Sequence, residues 1–186
     1  MKRLIILALA CTTGVAHADD GLYLANGFSM GAPSVKTSDG TERDALTAFR
    51  VRGSIGYRQG RLAIEPNLSI QSIDRHDYPM NQSTTIYDYA SAGAQVKYIR
   101  PGPFATYARF GGHHSWSGAR SMRPPMDGGG IDFGVGLQLG AKSKQLAAGF
   151  FLDLGHEITW IGPDGAASDR ISTTHFSIGF AAGTGY

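Results

Sequence analysis

The chain is poor in cysteine, in tryptophan and in long apolar runs. One of its 186 residues is cysteine and two are tryptophan. The cysteine is Cys11, close to the start, so disulfides cannot rigidify a domain that begins further on. No apolar run reaches the roughly 20 residues that a membrane-crossing helix requires, and segments of helical period are nearly absent. An excess of one charge is missing as well. Lys and Arg number 17 against 15 Asp and Glu, and Lys2 and Arg3 account for the difference. A balanced chain of this kind has no basic face for nucleic acid. What is abundant is glycine, at 26 residues, which together with the missing helical period favours an all-β chain.

The opening residues have a meaning of their own. Met1-Lys2-Arg3 is basic, Leu4 to Ala10 is apolar, and Ala16-His17-Ala18 precedes Asp19-Asp20. That order is the pattern of a secretory signal peptide with cleavage after Ala18. Cys11 would leave with it. Residues 1–18 are therefore expected to be the signal and residues 19–186 a single domain.

Residues 131–141 read Ile-Asp-Phe-Gly-Val-Gly-Leu-Gln-Leu-Gly-Ala. In a strand, alternate side chains share a face. Ile131, Phe133, Val135, Leu137, Leu139 and Ala141 line one side, while Asp132, Gly134, Gly136, Gln138 and Gly140 line the other. A soluble sandwich would put charged, β-formed surface on the second face. A glycine-rich face instead suits a crowded interior, and the bulky face suits lipid, as in a narrow membrane barrel. Seven more segments alternate in the same way, led by Leu24, Val51, Leu68, Val96, Phe110, Leu152 and Ile178. Polar stretches at 32–45, 74–84, 117–129 and 162–170 read as loops, and they alternate with short turns at 59–60, 99–103 and 142–145. The predicted fold is an eight-stranded antiparallel transmembrane up-and-down β-barrel.

Short turns also suggest registers. Gln59-Gly60 as a two-residue turn pairs Tyr57 with Leu62 and sets Glu65 opposite Ser54, diagonal to Arg52. The next two turns set Gly93 opposite Arg109, and Gly136 opposite Phe151. Each is a small residue facing a large one.

The last strand ends Phe176-x-Ile178-x-Phe180-x-Ala182-x-Thr184-x-Tyr186. This terminal aromatic in phase with the lipid-facing row, the eight-strand count and the rhythm of short turns and long loops resemble the OmpA/OmpX-type small barrels of Gram-negative outer membranes, over residues 21–186. The resemblance implies an outer-membrane location, periplasmic short turns, extracellular longer loops, and recognition of the strand ending in Tyr186 by the barrel assembly machinery. It also implies a monomer surrounded by outer-membrane lipid and lipopolysaccharide, with loops free to meet an extracellular partner.

Candidate functional residues fall in two groups. Arg50, Arg52, Arg58, Glu65, Lys97, Arg109, Asp132, Asp153 and Glu157 carry inward phase. In a bore wide enough only for side chains they are expected to pair and plug it, since a lone buried charge costs several kcal/mol. A narrow ion path is the competing reading of the same set. His113 and Ser115 share a face two residues apart, a spacing that would let the imidazole activate the hydroxyl. Lipid A deacylase barrels use His-x-Ser with a carboxylate, for which Asp127 or Glu157 would serve here, but Trp116 stands where their Asn follows. A soluble lipocalin-like carrier is a further alternative, and it would turn the bulky rows inward. Lys36, Arg120 and Arg123 lie in predicted loops, where solvated charge is the default and lipopolysaccharide phosphate the alternative. His76, His156 and His175 lack ligand spacing, so neither a metal nor a cofactor is expected. Gly128-Gly129-Gly130 reads as a hinge rather than a phosphate loop. The expected function is structural or interactive, not enzymatic.

Overall fold

A computed structural model of the chain describes residues 20–44, 46–77, 82–100, 104–118, 124–142, 147–163 and 166–185. The expected signal peptide, the terminal Tyr186, Arg120, Arg123 and most of the connection at 142–145 lie outside the described residues.

Nine strands run in chain order: β1 Gly21–Lys36, β2 Glu42–Arg43, β3 Leu46–Gln59, β4 Leu62–Asp77, β5 Gln82–Arg100, β6 Ala105–Ser117, β7 Met126–Lys142, β8 Ala147–Pro163 and β9 Asp169–Gly183. β2 is a short arm that pairs only with the end of β1, through Val35 and Lys36. The other eight pair antiparallel with their sequence neighbours, and β1 also pairs with β9, which closes the sheet. Closure leaves no edge with open backbone groups, the condition for a sheet to lie in hydrocarbon. Following the hydrogen-bonded row from Trp160 through Gly129, His114, Ala92, Leu68, Gly53 and Asn26 returns to β9 at Phe180, ten residues beyond Arg170, where the row also starts. Eight strands with that stagger tilt by about 40° and enclose a bore that side chains alone can fill.

The two faces divide as their chemistry requires. Leu68, Ile70, Phe110, Val135, Phe150 and Phe176 lie on the outside, each more than half exposed. In water an apolar surface of this extent would drive association; in lipid it is the solvated face. A lipocalin-like carrier is thereby excluded, because it needs those rows inside. Trp116 and Trp160 stand near the longer connections, and Tyr98 and Phe104 near the short turns. Aromatic side chains thus mark both rims of the apolar band.

The strands run further than expected. Predicted loops at 32–45, 74–84, 117–129 and 162–170 contain the outer ends of β1, β4, β7, β8 and β9, which leaves shorter connections. The reason is that alternation carries on into these stretches: Val35 inside the first of them, and Ile73, Ile161 and Ile171 at the borders of the others, are turned inward and fully buried. At the far side of β1, Thr37, Asp39 and Thr41 form a compact turn, Asp39 Oδ1 accepting from Thr37 Oγ1 at 2.5 Å and from the Thr41 backbone N–H at 2.9 Å. Gly40 there has φ +89°, open to glycine without strain.

The expected registers are also corrected. β3 and β4 pair Tyr57 with Ile64 and Ser54 with Asn67, so the turn residues are Gly60 and Arg61. Gly60 takes φ +59°, and its N–H is held by Asp20 at 2.6 Å, which favours this turn over one centred on Gln59. β5 and β6 place Gly93 beside His113 and Lys97 beside Arg109. Arg100 pairs with Thr106, so this connection lies two residues further along the chain than the expected 99–103. β7 and β8 pair Gly136 with Asp153 and Gln138 with Phe151. The principle of small against large still operates, with other partners. A side chain at Gly136 would meet the Tyr107 ring, one at Gly56 the Tyr23 ring, and one at Gly179 the Phe151 ring.

Two measurements follow. Ile178→Arg, in the middle of the exposed apolar face of β9, is expected to destabilise the folded barrel in lipid vesicles by about 2–4 kcal/mol, read from urea unfolding. At the β1–β2 turn, the hydrogen bond from Thr37 and the Thr41 N–H hold the Asp39 carboxyl down to about 2, below its ordinary 3.8. A depressed carboxylate contributes local order above its unfolded pKa and loses it as pH falls through the folded one. The Thr41 amide resonance should therefore shift as pH falls from about 4 to about 2, and Asp39→Asn should remove that transition.

Candidate functional site

The inward residues stack in three layers along the bore. Near the short turns, Tyr23, Ala25, Ala63, Ile99, Tyr107, Phe151 and Ala181 form an apolar cluster. Near the longer connections, Val35, Leu46, Ala48, Ile73, Tyr87, Tyr89, Ile161 and Ile171 form another. Inward phase places Tyr23, Tyr89, Tyr107 and Phe151 inside, but not the apolar residues that gather round them, such as Ile73, Ile99, Ile161 and Ile171. Their one signal was phase: each continues the inward row of its strand.

Between the clusters lie the charges. Arg109, on β6, is the hub. Its Nε and Nη2 donate to both oxygens of Asp153 on β8, at 2.8 and 2.7 Å, and its Nη1 reaches Asp132 on β7. Nη2 also reaches His175 Nε2 on β9 at 3.1 Å. A planar fork matched to a carboxylate is the geometry arginine supplies and lysine does not. Glycine on the inner face makes room for it: a Cβ at Gly155 would collide with its guanidinium.

Arg50, on β3, pairs with Glu157, approaches Asp132 at 3.6 Å and donates to His175 Nε2 at 2.9 Å. Arg52 reaches Asp132 at 3.8 Å and Gln95 at 3.3 Å. Nearer the short turns, Lys97 pairs with Glu65 at 2.6 Å, and Tyr23 and Gln95 donate to the same carboxylate. The Lys97 ammonium also lies 4.8 Å from the centre of the Tyr107 ring. Eight charges predicted to face inward, Arg50, Arg52, Glu65, Lys97, Arg109, Asp132, Asp153 and Glu157, thus meet in one network with four of each sign. Arg58 faces inward but stands apart, its Nε donating to the Gly60 carbonyl at 2.8 Å. The expected approach of Glu65 to Arg52 gives way to Lys97, because the two-residue shift of β3 against β4 carries Glu65 away from Ser54. His175, Gln95 and Tyr23 complete the set, and no spacing rule pointed to them.

His113 and Ser115 do not form a nucleophile–base pair. Ser115 is fully buried and shares a 2.8 Å hydrogen bond with Ser91 across β5 and β6. His113 Nε2 lies 3.0 Å from Thr159 Oγ1 and 3.9 Å from Glu157. Asp127, considered as their carboxylate, is on the exterior and meets His114 at 2.9 Å. His114 in turn stacks on Trp116, ring centres 6.0 Å apart. The hydroxyl and imidazole that the sequence suggested therefore serve as wall contacts of the polar layer.

The bore retains little free space. Two cavities beside Arg50 measure about 10 Å³ each, room for about one water apiece. Apolar side chains lie above and below this layer.

No family model matches the chain, and no curated relative matches it. Solved structures do. Neisserial surface protein A aligns at 20% identity over 86% of this chain and 97% of its own, with a TM-score of 0.50. The fold is that of a small outer-membrane β-barrel. Ail, the attachment invasion locus protein of Yersinia pestis, aligns at 13% identity over 86% of this chain and 98% of its own, TM-score 0.49, in a complex with the heparin analogue sucrose octasulfate. The N-terminal β-barrel domain of Pseudomonas aeruginosa OprF aligns at 15% identity over 83% and 96%, TM-score 0.39. Identities this low speak to architecture alone.

The network makes its own prediction. Arg109→Met strands Asp153 and leaves Asp132 with more distant partners, and is expected to cost about 3–5 kcal/mol in urea unfolding. Adding Asp153→Leu should recover most of that loss, since a buried pair replaced as a unit leaves no lone charge.

Proposed function

We propose that this protein is a monomeric barrel of the Gram-negative outer membrane, exported by the segment ending at Ala18, whose task lies on its outside rather than through its centre. The observation that carries this reading is the layered bore: a charge-balanced network enclosed between two apolar clusters. A path for ions would need a continuous polar wall, and apolar constrictions oppose one. Four connections between long strands then form the surface presented to the exterior, with the short turns and the strand ending in Tyr186 toward the periplasm and the barrel assembly machinery. Lipid and lipopolysaccharide surround the band between the aromatic rims, and the exterior connections are the contact surface for a further partner.

The enzyme alternative at His113 and Ser115 has little support in this geometry, since each side chain is engaged by another residue and neither faces lipid. Ser115→Ala is expected to leave the host's lipid A unchanged. For the whole reading, membrane extract run on a gel without boiling should give a compact, faster band that slows on boiling, in the outer-membrane fraction. Purified protein in planar bilayers should give no sustained conductance steps. Steady unitary currents, or recovery of the chain in the periplasmic extract, would count decisively against it.

A further inference from the structure

Among the described residues the outer face is largely apolar, and a strip of hydroxyls and an imidazole interrupts it on β8, β9 and β1. Rows of neighbouring residues across these three strands can be read from the connections end downward. The first is Trp160, Arg170 and Lys36; the second Ile158, Ser172 and Ser34; the third His156, Thr174 and Ala32; the fourth Leu154, Phe176 and Met30. The chemistry therefore descends from cations and an indole, through hydroxyls and an imidazole, to bulky hydrocarbon. Each step of two residues drops by about 5 Å at a tilt near 40°, so the polar rows occupy roughly the 10 Å below Trp160. That is the depth at which lipid headgroups give way to acyl chains.

The polar side chains bind one another, but their hydrogens do not balance. His156 Nε2 lies 3.0 Å from Ser172 Oγ, and its Nδ1 lies 2.9 Å from Thr174 Oγ1. A neutral imidazole has one N–H, and each hydroxyl has one O–H, three donors in all. The two contacts use two of them. In one tautomer Ser172 donates to Nε2, the ring donates to Thr174, and the Thr174 hydrogen is left over. In the other, Thr174 donates to Nδ1, the ring donates to Ser172, and the Ser172 hydrogen is left over. Either way one donor points away from its trio, on a face that meets hydrocarbon, where an unmade hydrogen bond is expensive. Above it, the exposed Arg170 has no ion-pair partner among the described residues, while Lys36 shares Glu42 at 3.5 Å.

We propose that this strip is a docking site for a phosphorylated glycolipid of the lipopolysaccharide type. Arg170 and Lys36 meet its phosphate, the spare hydroxyl donor meets an ester or amide carbonyl at the root of an acyl chain, and Leu154, Phe176 and Met30 carry the chain itself. Three strands span about 10 Å from the first to the last. With hydroxyls at two depths, such a strip fits a lipid with several acyl linkages better than one with a single glycerol. The inference rests on the outer-membrane placement proposed above.

The test uses the full chain folded in detergent micelles and titrated with deep-rough lipopolysaccharide or, separately, phosphatidylglycerol, with bound lipid counted by native mass spectrometry. Replacing the trio together, His156→Leu, Ser172→Ala and Thr174→Val, keeps the outer face apolar and should preserve the faster unboiled band. It is expected to weaken lipopolysaccharide binding by about tenfold, the equivalent of one hydrogen bond. Arg170→Gln should weaken it too, and should flatten its dependence on salt. Three results would overturn the site: unchanged binding by the folded triple variant, phosphatidylglycerol bound as tightly as lipopolysaccharide, or free fatty acid released by the wild type and abolished by Ser172→Ala, which would make the trio a hydrolase. Cell fractionation stands apart from these. A chain found outside the outer membrane ends the placement, whereas correct placement with unaltered binding ends the docking site alone.

Discussion

Hydrocarbon offers a peptide group nothing to bond with, and the pairing of β1 with β9 follows from that fact before any side chain is considered. Once the sheet is closed with eight strands and a stagger of ten residues, its tilt and radius are no longer free. The bore can hold one layer of side chains from each wall. Every inward residue must therefore find both room and a partner among the residues of the opposite wall.

Room is supplied by glycine and partners by opposite charge. The rings of Tyr23, Tyr107 and Phe151 each lie across a glycine on a neighbouring strand, at 56, 136 and 179. Arg109 spans the bore to Asp153 and Asp132 because Gly155 gives it passage. Four cations and four anions are taken out of water together, and a set so balanced avoids the penalty of a lone buried ion. Its net contribution to stability over an apolar filling is small by the same reasoning. What it supplies is uniqueness: the fork of Arg109 on Asp153 accepts few other registers of β6 against β8.

Much of this architecture was legible from period alone. Alternation in residues 131–141 separated the lipid face from the bore, and the same phase in β3, β4, β5, β6 and β8 put all eight network charges on the inner side. Partners were not legible. The turn between β3 and β4 lies at Gly60 and Arg61 rather than Gln59 and Gly60, and that between β5 and β6 lies two residues further along than 99–103, so registers moved by two and by four residues. An even shift keeps every side chain on its face and changes every neighbour. A pattern of faces is blind to it. Hence Glu65 was assigned to the right wall and the wrong cation. The apolar clusters at both ends were legible only in part, for a related reason. Val35 sits within, and Ile73, Ile161 and Ile171 beside, stretches whose polar residues read as loop, and their inward phase has meaning only once the strands are known to continue there.

A bore filled by paired side chains changes which residues are informative. In a soluble domain a buried polar group demands explanation, because burial is the apolar state. Here the exterior is the apolar state, so the demand passes to polar groups that face outward between the aromatic rims. His114 answers it with Asp127 and a stacked Trp116 at the rim, where water is near. His156 lies deeper, beside the Phe133 ring at 5.5 Å, and is answered only by two hydroxyls that cannot all be satisfied by it and by each other. Inward charges are accounted for by packing and balance, and they require no ligand. An outward donor has no such account within its own trio, and at a face turned to lipid the surrounding bilayer can supply its partner.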